Sequence, residues 1–293
     1  MKLLIILLLF SLGASGQIVR CHPFYKPLST QLFLDLYPSA TLAVSLRKLT
    51  LNYSGSCIRV RRSSDNTEQD IGFVNNYLDT ASMKTFVGAN NGFVVTWYDQ
   101  SGSGNNATQA TAVTQPKIIT SGVINRQDGI ACINTATNLY LATSSVVFNG
   151  APFTFISAIG THNTSISAFF GNRNGNTGYN YTWLNPTYSF LSFGTGAAGV
   201  AITITQRTKH ISFLSRVSTT NSLWINSSNT NSATSTYTSS TSLFFIGRGG
   251  TVGNTGTQGN ANANFYEIIG YASDKTTNRT QMETNLNNFY SIY

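Results

Sequence analysis

Short apolar runs that alternate with a period of two recur along most of this chain and confine it to packed β-sheets. In GVAITIT the residues Val200, Ile202 and Ile204 share one strand face against Ala201, Thr203 and Thr205. In HISFLSRV the residues Ile211, Phe213 and Val217 share a face with Ser215. FTFISAIG, YSFLSFG, SLWIN, SLFFIG and NFYEIIGYAS follow the same rule, separated by Gly, Asn and Ser clusters that suit turns. Many short strands without intervening helices predict an all-β, two-sheet antiparallel sandwich or jelly roll.

Helices are expected only as additions to that frame. Leu42, Leu46 and Leu49 are spaced for a short amphipathic helix over Thr41 to Leu51. LDTASMKTFVG suits another, with Asp79 or Thr80 accepting from the first amides and Gly88 closing the end. At the C-terminus, Met282, Leu286, Phe289 and Tyr293 fall on one helical face. INSSNTNSATSTYTSSTS and GGTVGNTGTQGNANAN read as surface loops between strands, and no fixed-period repeat points to a propeller or solenoid.

The first residues carry an export pattern. Lys2 precedes the apolar stretch Leu3 to Leu12 and the small residues Ala14-Ser15-Gly16, so residues 1–16 read as a signal peptide cleaved before Gln17. That stretch is shorter than the roughly 20 apolar residues a spanning helix needs, and no later one reaches it, so no membrane insertion is expected. Residues 17–40, with Pro23, Pro27 and Pro38, form an irregular lead-in to a single domain over 41–293. The expected location is secreted or cell-surface.

Only 10% of the 293 residues are charged, and the formal charge is +8. A basic surface suits acidic glycans, anionic cell surfaces or nucleic acid. The densest basic run, IRVRRSSDNTEQD, argues against nucleic acid, because Asp65, Glu68 and Asp70 lie within a hairpin's reach of Arg59, Arg61 and Arg62; mutual ion pairing is expected there, with an anion-binding patch as the alternative. Cys21, Cys57 and Cys132 allow one bridge and one leftover thiol at most, in a connectivity the sequence leaves open. None of them forms a CxxC pair or stands near His22, His162 or His210, so neither a zinc site nor a Cys-His nucleophile is indicated. No Asp-rich loop of the kind calcium prefers is present, and no cofactor is expected.

The segments VSLRKL, IRVRRSSDNTEQDIGF, GFVVTWYDQSGSGNNATQ and NFYEIIGYASDKTTNRTQMETNLNNFYSIY together resemble the concanavalin A-like (LamG-type) jelly roll related to the catalytic domain of α-L-arabinofuranosidase B. The resemblance runs over residues 32–293 and is most specific at Tyr98-Asp99-Gln100-Ser101-Gly102 with Gly104-Asn105, and at Phe265-Tyr266-Glu267. It implies a sandwich whose concave side or edge loops meet carbohydrate. Retaining hydrolysis would need two carboxyl groups about 5 Å apart. Where the resembled enzymes carry a nucleophilic Glu after Gly-Asn-x, this chain has Asn174, and where they carry an acid/base Asp after Gly-Gly, it has Thr251. An amide and a hydroxyl cannot do that chemistry near neutral pH. The enzymes' adjacent cysteine pair is also missing.

Counting carboxylates tests this without any alignment. There are ten, Asp35, Asp65, Glu68, Asp70, Asp79, Asp99, Asp128, Glu267, Asp274 and Glu283, and none lies between Asp128 and Glu267. A relocated pair, Asp99 with Asp128 or Glu267, is the arrangement left to a hydrolase. In the strand Gly92 to Thr96, Trp97 is expected in the core on the face of Phe93 and Val95, and Asp99 is expected to hold the amides of Ser101 or Gly102 in an Asx-type turn, with sugar contact as the alternative. Candidate glycan contacts are Asp99, Asn105, Asn172, Arg173, Asn174, Trp183 and Thr251; Tyr179 and Tyr181 share a strand face with Trp183, either as a sugar platform or as core. The Asn-x-Ser/Thr sequons at Asn52, Asn106, Asn163, Asn180, Asn226 and Asn278 matter only in a host that glycosylates.

Three functional readings follow. The leading one is a secreted, non-catalytic, lectin-like carbohydrate-binding or adhesion protein. The second is an active or degenerate glycoside hydrolase acting on arabinofuranosides. The third is a homo-oligomeric surface or fibre subunit, phage-like or from an extracellular filament, that binds host glycans; the signal peptide weighs against the phage form.

Overall fold

The structure, a computed structural model, describes residues 31–136, 139–145, 147–148, 150, 152–161, 167–172, 180–185, 190–194, 200–203, 209–234, 242–248, 251–252, 256–257 and 261–293. For 161, 167, 180–185, 190–194, 200–203, 229, 251–252 and 256–257 it describes the backbone alone. The signal-peptide pattern, Cys21, Arg173 and Asn174 lie outside the described residues.

Within that range the chain is an all-β antiparallel sandwich with short helices near the N-terminus and one at the C-terminus. One sheet runs Leu42–Ser45, Ala263–Tyr271, Phe153–Thr161, Lys209–Val217, Thr220–Ile225 and Asn229–Thr234. The facing sheet begins with Glu68–Ile71, Ile58–Arg62 and Gly92–Trp97. It continues through Ala107–Thr108, Leu141–Thr143, Phe245–Ile246, Ser167–Gly171, Asn180–Asn185, Phe190–Gly194 and Val200–Thr203. Ile133–Thr135 joins the two ladders, pairing with Ala263–Phe265 on one side and with Lys117 on the other.

Alternation along the strands sorts side chains between two cores. Leu42, Val44, Phe153, Phe155, Leu214, Leu223 and Phe265 meet Ile58, Val60, Val94, Trp97, Leu141, Phe170 and Ile246 of the facing sheet. The opposite faces of the first sheet, with Ala43, Ile156, Ala158, Ile211, Phe213 and Ile269, pack under Met282, Leu286 and Tyr290 of the C-terminal helix and Phe33 of the turn Phe33–Leu36. Ala263–Tyr271 is therefore covered on both sides and buried along its whole length. Each such Phe, Leu or Ile contributes about 1.5–3 kcal/mol by leaving water.

Several register shifts break the alternation, and two of them decide where Trp97 and Glu267 point. Arg59 pairs with Thr96 and Val60 with Val94, so Val95 has no partner, and the strand's parity flips there. Trp97 consequently shares the core with Val94, whereas strict period two placed it with Phe93 and Val95; it is in the core, as expected, but by a different register. Ala158 pairs with Glu267 and Ile159 with Phe265, which leaves Tyr266 unpartnered and turns both Tyr266 and Glu267 toward the C-terminal helix.

The helix expected over Thr41 to Leu51 is a correction: Leu42–Ser45 is a strand. Its pairing with Ala263–Tyr271 buries all four residues, and that long-range ladder outweighs a leucine spacing compatible with either structure. The helix Thr80–Val87 forms as the sequence indicates, with Asp79 accepting from the Ser82 amide at 3.0 Å and Gly88 at φ +62 ending it. The C-terminal helix Arg279–Tyr290 stops at Ser291, which has φ +49, so Tyr290 becomes its third anchor and Tyr293 lies beyond it, exposed. Cys57 and Cys132 are buried free thiols in separate clusters.

Gly270 marks a close approach of aromatic rings in the core. A β-carbon there would fall inside the van der Waals envelopes of the Phe148 and Phe155 rings. Gly270→Ala should cost about 1–3 kcal/mol by overpacking. In a domain of this size that lowers Tm by about 3–10 °C in a thermal melt. An unchanged Tm would contradict this packing.

Candidate ligand site

The Trp-Tyr-Asp-Gln-Ser-Gly stretch ends a strand and begins a clamp. Asp99, 5% exposed, accepts through Oδ1 from the Ala43 and Ser101 amides at 2.8 and 2.9 Å, and through Oδ2 from Ser101 Oγ and the Asn105 amide at 2.8 and 2.9 Å. Gln100 adds a second tie: its Oε1 accepts from the Leu49 amide, and its Nε2 donates to the Ser45 and Arg47 carbonyls. The motif thus sews the end of Gly92–Trp97 to Leu42–Ser45 of the other sheet. Asn105 donates to the Thr41 carbonyl and accepts from Ser145 Oγ, which extends the clamp to the segment after Leu141–Thr143.

All ten carboxylates lie among the described residues, and each meets a donor of the protein itself. Asp35 accepts from the Leu32 amide and Thr50 Oγ1, Asp79 caps its helix, and Asp274 accepts from the Thr276 amide. Asp65 and Asp70 are paired with Arg62 and Arg59, and Glu68 lies 4.0 Å from Arg59. Hydrogen bonding from Arg59 and Ser82 respectively holds Asp70 and Asp79 below the usual carboxylate range. Asp128, largely exposed, pairs with Lys209 at 3.2 Å. Glu283 binds Arg279 and Ser227, and burial raises its pKa against their pull. Glu267 is fully buried, in a two-pronged pair with Arg47 at 2.6 and 2.8 Å, and also accepts from Ser45 Oγ and the Tyr290 hydroxyl. Among the described residues no group of three or more His, Cys, Asp or Glu forms a metal site.

Of the residues the sequence nominates, Asp99, Asn105 and Asn172 come to one end of the facing sheet. Asn172 is buried there and points its amide at the Val147 and Phe148 carbonyls, at 3.4 and 3.5 Å. Trp183 lies toward the other end, and Thr251 belongs to a separate hairpin. Trp183 pairs by backbone with Ser167, and Thr251 opens the hairpin Thr251–Val252 with Gly256–Thr257.

That second end holds a group that motif reading missed. Phe245–Ile246 is followed by Gly247, whose φ of +90 redirects the chain and whose amide binds the Phe169 carbonyl at 2.7 Å. Ile246 points into the core, while Phe245 is only partly covered, beside Tyr140 at a ring distance of 5.9 Å and 67°. The Arg248 guanidinium sits in that corner, 4.0 Å from the Tyr140 ring centre and 4.2 Å from that of Phe245. Its Nε is buried without a hydrogen bond. Burial lowers its pKa, with Tyr140 opposing. The ring faces supply cation–π attraction of about 0.5–2 kcal/mol, yet a buried donor left unsatisfied costs about 1–3 kcal/mol. The available signal was local: an Arg among glycines in FFIGRGG, and a Tyr alternating with core leucines in NLYLAT.

Comparison with known proteins agrees with the fold. A family model described as "Alpha-L-arabinofuranosidase B, catalytic" matches residues 37–150. A mutant GH54 α-L-arabinofuranosidase soaked with 4-nitrophenyl α-L-arabinofuranoside superposes with a TM-score of 0.64 at 14% identity. An arabinofuranosidase complexed with arabinofuranosyl-α-1,2-xylobiose gives 0.63 at 17%. Both alignments cover 84% of this chain, which spans 62% of each of those proteins. No curated protein matches. Likeness at these identities establishes the sandwich and leaves the chemistry to the residues.

The clamp has a measurable signature. Asp99→Ala removes the acceptor of three amides and a hydroxyl and should cost about 3 kcal/mol or more in urea unfolding. Asp99→Asn, which keeps one acceptor oxygen, should cost less. Equal stability of wild type and Asp99→Ala would refute the clamp.

Proposed function

We propose that the chain is an exported, non-catalytic carbohydrate-binding or adhesion protein built on an arabinofuranosidase-like sandwich. The observation that carries this reading is the engagement of all ten carboxylates in the protein's own hydrogen bonds and ion pairs. A retaining glycosidase needs two carboxyl groups about 5 Å apart, one free to attack and one to exchange a proton. The candidates for a relocated pair are otherwise occupied: Asp99 by four donors, Glu267 by Arg47, Ser45 and Tyr290, and Asp128 by Lys209. Sugar binding, by contrast, requires aromatic faces and polar groups rather than paired acids, and Tyr140, Phe245 and Arg248 supply both on a partly exposed face. The likeness to arabinofuranosidases and the N-terminal pattern from Lys2 to Gly16 support carbohydrate as the ligand class and export as the route.

Two assays on the same preparation test this. Affinity electrophoresis through a panel of neutral and acidic polysaccharides should retard the folded protein in at least one gel. A chromogenic α-L-arabinofuranoside should release no phenol above buffer. Hydrolysis by the wild type that disappears in Asp128→Asn or Glu267→Gln would replace this reading with the hydrolase one, and a folded protein retarded by no polysaccharide would end it.

A further inference from the structure

We propose that Arg248, in the corner formed by Tyr140 and Phe245, is the recognition point for an anionic group on the glycan, a uronate carboxylate or a sulfate ester. The proposal rests on the carbohydrate-binding reading above and names the chemical class of its ligand.

Arg248 alone of the described arginines has no hydrogen-bond acceptor among the described residues. Arg47, Arg59, Arg62 and Arg279 pair with carboxylates, while Arg61, Arg126 and Arg216 donate to amide or carbonyl oxygens. Among the described residues Arg248 touches two rings and no hydrogen-bond acceptor, and its Nε is out of reach of water. Such a guanidinium is held by ring faces, and its two terminal nitrogens are the donors left for a partner outside the chain. A planar fork of this kind matches the paired oxygens of a carboxylate or sulfate.

The surrounding sequence keeps competitors away. No Asp or Glu occurs between Asp128 and Glu267, whereas Arg173, Arg207, Lys209, Arg216 and Arg248 all do. An anion arriving here finds no carboxylate from that stretch to repel it. Gly249 and Gly250 follow Arg248 and carry no side chain to occupy its donors. The half-covered Tyr140 and Phe245 provide apolar faces for the ring of the same sugar. Hydroxyls of neutral arabinose would offer the guanidinium only uncharged acceptors, whereas a carboxylate or sulfate offers paired, charged oxygens, so the geometry points to an acidic sugar instead.

The test uses affinity electrophoresis in polygalacturonate, dextran sulfate, dextran and arabinan gels, with wild type, Arg248→Gln, Arg248→Lys and Arg126→Gln. The last makes the same charge change at an exposed arginine. Wild type should bind one acidic polymer more tightly than the neutral ones, and which one identifies the anion. Arg248→Gln should weaken that binding by about tenfold or more. Arg248→Lys, which keeps the charge but loses the planar fork, should weaken it by about threefold or more, and this variant decides the matter if Arg248→Gln fails to fold. Arg126→Gln should stay within about twofold of wild type. Equal weakening by Arg126→Gln and Arg248→Gln would reduce the effect to net charge and overturn the proposal. Retention on neutral and acidic gels alike, unaffected by Arg248→Gln, would overturn it while leaving the carbohydrate reading standing. Inorganic sulfate raising the Tm of wild type but not of Arg248→Gln, with free galacturonate without effect and no polymer retained, would keep the anion site and remove the carbohydrate reading.

Discussion

A buried guanidinium and a buried carboxylate, Arg47 and Glu267, govern how the sandwich receives its helical cover. Glu267 would point into the inter-sheet core if its strand alternated strictly from Phe265. The bulge at Tyr266 turns it outward, where Arg47 grips both oxygens and the Tyr290 hydroxyl completes the set. Burial by itself would lower the Arg47 pKa, but the adjoining carboxylate outweighs it and holds the group above its ordinary value. Asn285 and the Phe289 ring, 4.6 Å away, complete the enclosure from the helix side. Removing one member of such a pair costs about 3–5 kcal/mol, because the other is left buried and uncompensated. Strand, lead-in and helix therefore stand or fall together.

The Asp99–Gln100 clamp applies the same principle at the joint between sheets. A hairpin tip ordinarily leaves its amides to water. Here a carboxylate collects the Ala43, Ser101 and Asn105 amides, and an amide side chain takes up a donor at Leu49 and two carbonyls at Ser45 and Arg47. Sequence matching gives this motif its weight as a family signature, but its chemistry is architectural. Of the ten acids in the chain, Asp99 and Glu267 thus both serve as internal ties.

The period-two alternation exposed the sandwich, and the caps at Asp79 and Gly88 exposed the helix Thr80–Val87, because both are local properties of backbone and side chain. Bulges are not local. Val95 and Tyr266 look like ordinary strand residues, and only the register against Ile58–Arg62 and Phe153–Thr161 makes each the extra one. Hence Trp97 could be placed in the core but not on the correct parity. Leu42–Ser45 misled for a related reason: its leucine spacing fits a helix as well as a strand, and the deciding partner lies more than two hundred residues away in sequence. Arg248 escaped notice because its isolation from every carboxylate is a spatial fact. Lone arginines between glycines are unremarkable until their neighbours are known.

Two independent boundaries coincide near the middle of the chain. The family match stops at residue 150, and the carboxylates stop at Asp128 and resume only at Glu267. The matched portion contains the Asp99 clamp and the Arg59 and Arg62 pairs, which are the parts that hold strands in place. Residues 151–266 beyond it supply the outer strands of the facing sheet and carry cations without acids. The sequence match thus falls on residues that tie the scaffold, while the charge of the stretch from Asp128 to Glu267 is a separate property of its sequence. Exchanging an acidic for a basic lining would leave the sheets intact, since none of the ties that build them runs through Arg248. It would change only the charge presented beside Tyr140 and Phe245, where Arg248 stands without a hydrogen-bond acceptor among the described residues.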